Sequence, residues 1–267
     1  MKVFRMFFTL FVLTLVSLPL AVMGQDEEET LVVTPVNTRG WTTADTRPGG
    51  AVSIVLDSTS PAPGGSLSLT TDATTTAKAQ YMHATETPIT DVNDLSYWAK
   101  QNSASFAGGN ASYQFVVCLG GIGALGDCLG FTTFVYEPYQ NTLTPPSVWT
   151  RYDVDTGQMW SSRTYSSGTC TTLAGGGGAP FYTLTQIKVS CPNAVAVAFG
   201  VNIGSNNPSY DVSVDLVKFN NTTYDFEVYS MPTTADECMK GGWSTFNPEG
   251  GPYKNQGQCV SSTVPAS

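Results

Sequence analysis

Ala194–Tyr229 reads AVAVAFGVNIGSNNPSYDVSVDLVKFNNTTYDFEVY, and this stretch decides the fold class. Ala194 to Ile203 is apolar and β-branched, the composition of a buried strand. Gly204-Ser205-Asn206-Asn207-Pro208 is dense turn chemistry. Tyr210 to Phe219 alternates, Asn220-Asn221 turns the chain again, and Thr223 to Tyr229 makes a third strand that bears carboxylates. A closing hairpin of this kind belongs to an antiparallel sandwich. One detail breaks the alternation. Val212 and Val214 share a parity that Val217 and Phe219 do not, so the strand either bulges near Asp215 or is buried on both faces.

The same pattern runs through the rest of the chain. Strands are expected over Thr30–Val36, Ala51–Asp57, Ser66–Thr71, Thr74–His83, Leu95–Lys100, Ala111–Leu119 and Phe131–Glu137. Trp149–Asp155 and Gln158–Arg163 read as a hairpin about Thr156-Gly157. Thr183–Val189 is the best helix candidate, with Thr183 as its N-cap and Pro192 beyond its end. About ten short strands, one small helix and no βαβ alternation predict an all-β jelly-roll sandwich over residues 25–230. After Met231-Pro232 the chain becomes Gly-rich, and residues 231–267 read as a small separate module around Trp243, Phe246 and Tyr253.

With 267 residues the chain has room for a full core. Charged residues are 12 % of the total and the formal charge is −9. No basic stripe is present to displace counterions, which excludes nucleic acid and anionic membrane surfaces as partners. Residues 1–24 read as a secretory signal: Lys2 and Arg5 precede an apolar run from Phe7 to Leu20, and Val22-Met23-Gly24 suits cleavage. Loss of those two cations takes the formal charge to −11. No later segment is long and apolar enough to span a bilayer. The expectation is a secreted protein.

Six cysteines in an exported chain read as disulfides. Six allow 15 connectivities; nearest-neighbour pairing gives Cys118–Cys128, Cys170–Cys191 and Cys238–Cys259, one bond per local unit. No CxxC occurs and His83 is the single histidine, which argues against zinc and against a Ser or Cys triad.

VDLVKF followed by NNTTYDFE resembles the closing strands of galactose-binding-like jelly rolls, a group that includes many carbohydrate-binding modules. FVYEPYQN (134–141), TGQMWSSR (156–163), GVNIGSNNPSYDVSVDLVKF (200–219) and the tail CMKGGWSTF…KNQGQCVS resemble a family of uncharacterised exported bacterial proteins. The resemblance implies export and the sandwich; it carries no catalytic residues across.

Candidate sites follow from residue chemistry. Aromatic faces stack on the C–H faces of pyranoses while Asn, Gln and Asp bind hydroxyls. Tyr136, Tyr139, Trp149 and Trp160, with Glu137, Gln140 and Asn141, are close enough in sequence to form such a platform for an extracellular glycan. Trp149 and Trp160 read equally well as core. Trp160 and Met159 have opposite parity, so one points inward and the other outward. Asp225 and Glu227 sit two apart, share a strand face and are candidates for a structural Ca²⁺. Glu137, Asp153, Asp155, Asp211 and Asp215 complete the carboxylates a glycosidase would draw on, but the E-x-D-x-x-E strand pattern of jelly-roll hydrolases is absent, Asp153-Val154-Asp155 being a fragment of it. The expected function is non-catalytic binding of an extracellular ligand such as glycan. The alternatives are a structural or adhesive envelope protein contacting other proteins, and a glycan-active enzyme.

Overall fold

The computed structural model describes residues 27–62, 64–141, 147–167, 170–229, 232, 234–246 and 253–263. The expected signal peptide, 1–24, lies outside the described residues. In chain order the strands are β1 (Glu29–Val33), β2 (Trp41–Thr42), β3 (Gly50–Val55), β4 (Ser66–Thr71), β5 (Ala79–Pro88), β6 (Leu95–Ser103), β7 (Ser112–Cys118), β8 (Phe131–Tyr136), β9 (Thr150–Asp153), β10 (Met159–Ser161), β11 (Tyr165–Ser167), β12 (Cys170–Leu173), β13 (Phe181–Tyr182), β14 (Val195–Ile203), β15 (Asp211–Phe219) and β16 (Thr222–Phe226). Helical segments are short: α1 (Pro138–Asn141), α2 (Leu184–Ser190), α3 (Ala235–Cys238) and α4 (Gln256–Ser262). Among the described residues no helix is long and apolar enough to cross a membrane.

Two seven-stranded sheets face each other in a jelly-roll sandwich. The first is built on β15. Along one edge β15 pairs with β6, which pairs with β9. Its other edge is divided: Asp211–Val214 pairs with β4, and Val217–Phe219 pairs with β16. The change of partner occurs where the register against β6 shifts, between Asp215 and Lys218, and Leu216 there has φ +47°. The parity break in the sequence is therefore a β-bulge, and it lets Val212, Val214, Val217 and Phe219 all be buried. Asn220-Asn221 forms the β15–β16 hairpin turn, with Asn220 at φ +54°.

The second sheet has the order β13-β10-β8-β7-β14-β5-β2. Two segments expected as neighbours are separated by this topology. β9 belongs to the first sheet and β10 pairs with β8 and β13 in the second, so Thr156-Gly157 is a corner between sheets and not a hairpin turn. The 204–210 turn likewise carries the chain from β14 in one sheet to β15 in the other. Turn residues specify a reversal of direction; burial of both inner faces decides which sheet receives the next strand. The strand expected over Thr74–His83 is shifted along the chain, as β5 over Ala79–Pro88.

The inner faces enclose an aromatic core. Trp41 stacks on Tyr81 at 5.2 Å and meets Phe199, Tyr224 and Phe226 edge-on. Phe199 stacks on Phe219 at 4.4 Å. Half-buried His83 sits mid-strand among these rings, its Nε2 3.0 Å from the Arg39 carbonyl. α2 is the expected helix: the Thr183 hydroxyl accepts from the Gln186 amide, and the Gln186 side chain accepts from the Thr183 amide.

All three nearest-neighbour disulfides form. Cys170–Cys191 joins the start of β12 to the C-cap of α2. Cys238–Cys259 joins α3 to α4 and, with Tyr253, forms an apolar cluster distinct from the sandwich core; Trp243, Phe246 and Val260 pack against it.

Candidate functional site

The second sheet presents an outer face whose side chains follow from strand parity. Met159 is fully buried, so its neighbour Trp160 points outward. Register then aligns Trp160 with Val135, Val135 with Gln114, Gln114 with Gly200, Gly200 with Met82 and Met82 with Thr42. This row crosses six strands. Beside it, Asn202 lies between Ser112 and Gln80.

At the β8–β10 end the face deepens into a cavity of about 200 Å³. Pro138 ends β8 and opens α1, a position where its missing N–H costs nothing. That single turn brings Tyr139 and Gln140 back over Glu137. Glu137 Oε2 accepts three hydrogen bonds: from Gln140 Nε2 (2.7 Å), Trp160 Nε1 (2.9 Å) and the Tyr139 hydroxyl (3.0 Å). Phe106 braces Tyr139 edge-on at 5.5 Å. The facing wall comes from Gly109, Asn110, Asn202, Gly204, Asn207 and Tyr210. A Cβ on Gly109 would collide with the Tyr210 hydroxyl, so this glycine permits the close approach that shapes the wall. Burial raises the Tyr139 and Tyr210 hydroxyl pKa values, and nearby negative charge adds to both.

Glu137, Tyr139, Gln140 and Trp160 thus come together as a group. Tyr136 does not join them. It has the inward parity, is 2 % exposed, and packs on Tyr97 and Tyr152 at 6.4 and 6.3 Å. Asn141 is spent on the backbone: its amide donates to the carbonyls of Glu137 and Gln158 and its Oδ1 accepts from the Gln158 amide at 2.7 Å, which pins the corner between sheets. Trp149 lies elsewhere, with the Lys100 ammonium 5.0 Å from its ring and its indole N–H 3.4 Å from Thr59 Oγ1. Sequence reading missed Ser112, Gln114, Asn202, Asn207 and Tyr210. The signal for three of them was present, because Ser112, Gln114 and Asn202 are polar residues at outward parity in otherwise apolar strands.

Asp225 and Glu227 share a face as expected, and Asp215 joins them through the bulge. Asp215 is fully buried; its Oδ1 accepts from the amides of Leu216 (2.8 Å) and Phe226 (3.2 Å), replacing ladder bonds lost at the bulge. Burial, with the charge of Asp225, pushes its pKa up to about 8. Asp225 and Glu227 are also pushed up, chiefly by burial, and share a hydrogen bond. Gly64, at φ +152°, closes over the group, where any Cβ would strike the Glu227 carboxylate. Asp225 Oδ1 is buried without a partner. Oxygen donors are the type that Ca²⁺ takes. Among the described residues, however, no group of three or more His, Cys, Asp or Glu side chains is placed to hold a metal ion.

No family model matches the chain, and no curated protein does. Among solved structures it is similar to the family 11 carbohydrate-binding module of cellulosomal cellulase Lic26A-Cel5E of Clostridium thermocellum (TM-score 0.38, 12 % identity, 67 % of this chain and 86 % of that one). It is also similar to a family 11 module of Clostridium thermocellum in complex with a β-1,3-1,4-mixed-linked tetrasaccharide (TM-score 0.40, 16 % identity, 70 % and 91 %). A third is the enzymatically active domain of bacteriophage CBA120 tailspike protein 4 (TM-score 0.36, 12 % identity, 67 % and 19 %). Identities of this size tie nothing in the site to those proteins.

Proposed function

We propose that the protein is exported and binds glycan, without chemistry, on the outer face of the second sheet. The observation that carries this reading is the outward Trp160, held by Glu137 beside Tyr139 at a cavity lined otherwise by amides and hydroxyls. A ring fixed at both its indole N–H and its strand register offers a preorganised apolar face, and the surrounding groups supply acceptors and donors for sugar hydroxyls. Glycoside hydrolysis needs two carboxyl groups flanking one bond, whereas the cavity lining contains one, Glu137. That favours binding over catalysis. Three disulfides suit an oxidising compartment, in keeping with export.

A glycan array followed by titration calorimetry tests the reading. The Trp160→Ala protein should keep its circular dichroism spectrum and lose at least tenfold in affinity, because the ring's stacking and its bond to Glu137 vanish together. Silence across the array, with self-association in sizing experiments, would instead favour a structural envelope role.

The carboxylates Asp215, Asp225 and Glu227 form a second, structural part of the proposal: Ca²⁺ held there by Asp225 and Glu227 would tie the closing strand to the 57–65 turn. Chelator should then lower Tm, and added Ca²⁺ should restore it. An unchanged Tm across micromolar to millimolar Ca²⁺ would remove the metal and leave a proton in its place.

A further inference from the structure

We infer that Glu137 makes the site selective for charge: it accepts neutral and amine-bearing sugars and rejects acidic ones. The inference rests on the glycan-binding reading and goes on to name the ligand class. Of the described residues lining the cavity, Glu137 alone carries formal charge. Its three donors, from Gln140, Trp160 and Tyr139, all converge on Oε2. Oε1 receives none of the described donors, so the carboxylate that lines the cavity keeps acceptor capacity for a ligand.

The cation at the rim is itself paired. Arg47 reaches the rim, donating to Ser205 Oγ at 3.0 Å, but its guanidinium is 3.8 Å from the Asp45 carboxylate, which also binds Lys78. The other polar groups are neutral, and several have some of their hydrogen-bonding atoms engaged within the protein. Asn110 donates to the Tyr152 hydroxyl and accepts from the Ala111 amide; Asn202 donates to Gln80; Asn207 donates to the Gly204 carbonyl. A ligand carboxylate or sulfate entering here would meet a fixed like charge and no cationic partner. A hydroxyl or ammonium would find Oε1 waiting. Like charges brought together in a partly desolvated pocket repel far more than in water, so rejection is built into the site along with recognition.

The test uses three soluble oligosaccharides of matched linkage and length, one neutral, one bearing a protonated amine and one a uronate, titrated into the full mature protein. Wild type should bind the amine-bearing oligomer at least tenfold more tightly than the uronate. In Glu137→Gln that ratio should fall to about threefold or less. Gln114→Glu, which adds a carboxylate on an outward, half-buried position of the same cavity, should widen it. Uronate binding equal to amine binding in the wild type, or a ratio unmoved by both substitutions, overturns the inference while leaving glycan binding intact. Absence of binding to all three by folded protein overturns the glycan reading itself, and the selectivity with it.

Discussion

Asp215 shows how one buried carboxyl can serve a fold by replacing lost ladder bonds. The bulge removes ladder partners from the Leu216 and Phe226 amides, and the Asp215 carboxyl supplies an acceptor to both. Its position is buried and its neighbours Asp225 and Glu227 are acidic, so the charged form is disfavoured. An acid whose folded pKa lies near 8, against an ordinary 3.8, binds more protons folded than unfolded between those values. Stability is therefore greatest at low pH and declines as pH rises from about 4 towards 8, the reverse of a salt-bridged carboxylate. Without added cation, Tm read by circular dichroism should fall from pH 5 to pH 8. Asp215→Asn retains an acceptor for both amides and should flatten that fall. A Tm that rises over this interval would mean the cluster is ionised and paired. Leu216 offers a second check at this scale. Its left-handed backbone, φ +47°, costs about 1 kcal/mol or more for a non-glycine residue. Leu216→Gly should thus destabilise by less than 1 kcal/mol in urea unfolding, although a half-buried leucine side chain is lost.

Among the elements, α2 shows that local and tertiary signals agree. Its Thr183–Gln186 capping box is complete, its C-cap Cys191 is disulfide-bonded to Cys170, and Leu184 and Ile187 are buried against the core. Thr183→Ala should cost about 1 kcal/mol by leaving a helix N-terminal amide unpaired. Ile187→Ala should cost 2–4 kcal/mol, roughly what a fully buried aliphatic truncation removes. Equal costs for the two would mean the helix is held by its cap alone. At the 107–110 and 204–210 turns, Gly109 makes a different prediction. Gly109→Ala should displace Tyr210 and weaken glycan binding several-fold with little change in Tm, since the new methyl meets a side chain at the cavity wall.

For the whole molecule the distinguishing feature is two apolar clusters of very unequal size. The sandwich core runs through both sheets, whereas the Cys238–Cys259 cluster has three buried members among the described residues. A unit so small depends on its bond, worth about 3 kcal/mol for a loop of this length. If residues 231–267 are a separate module, replacing Cys238 and Cys259 by Ser should abolish protection from hydrogen exchange over 235–262 and leave the main calorimetric transition within about 2 °C. A large drop in that transition would show that tail and sandwich unfold as one.

Much of this architecture was legible in the chain. Alternation located most strands of both sheets though not the two-residue β2 and β13, Thr183 and Pro192 marked the helix of the sandwich, nearest-neighbour spacing predicted the disulfides, and the parity break near Asp215 narrowed that strand to a bulge or two-sided burial. These are local matters, set by side-chain periodicity and backbone chemistry within a few residues. What alternation cannot state is which of two faces meets the opposing sheet. That choice turned Tyr136 inward and Trp160 outward, and so separated two aromatic residues that composition alone would group in one platform. Nor does a turn sequence say whether the next strand pairs with the last or crosses to the other layer. Only packing of the two inner faces sent β10 away from β9, placed Asn207 and Tyr210 across from Glu137, and brought Asp215 beside Asp225 and Glu227. Each decision depends on burying apolar area contributed by distant segments, and that energy exists only once the sheets meet.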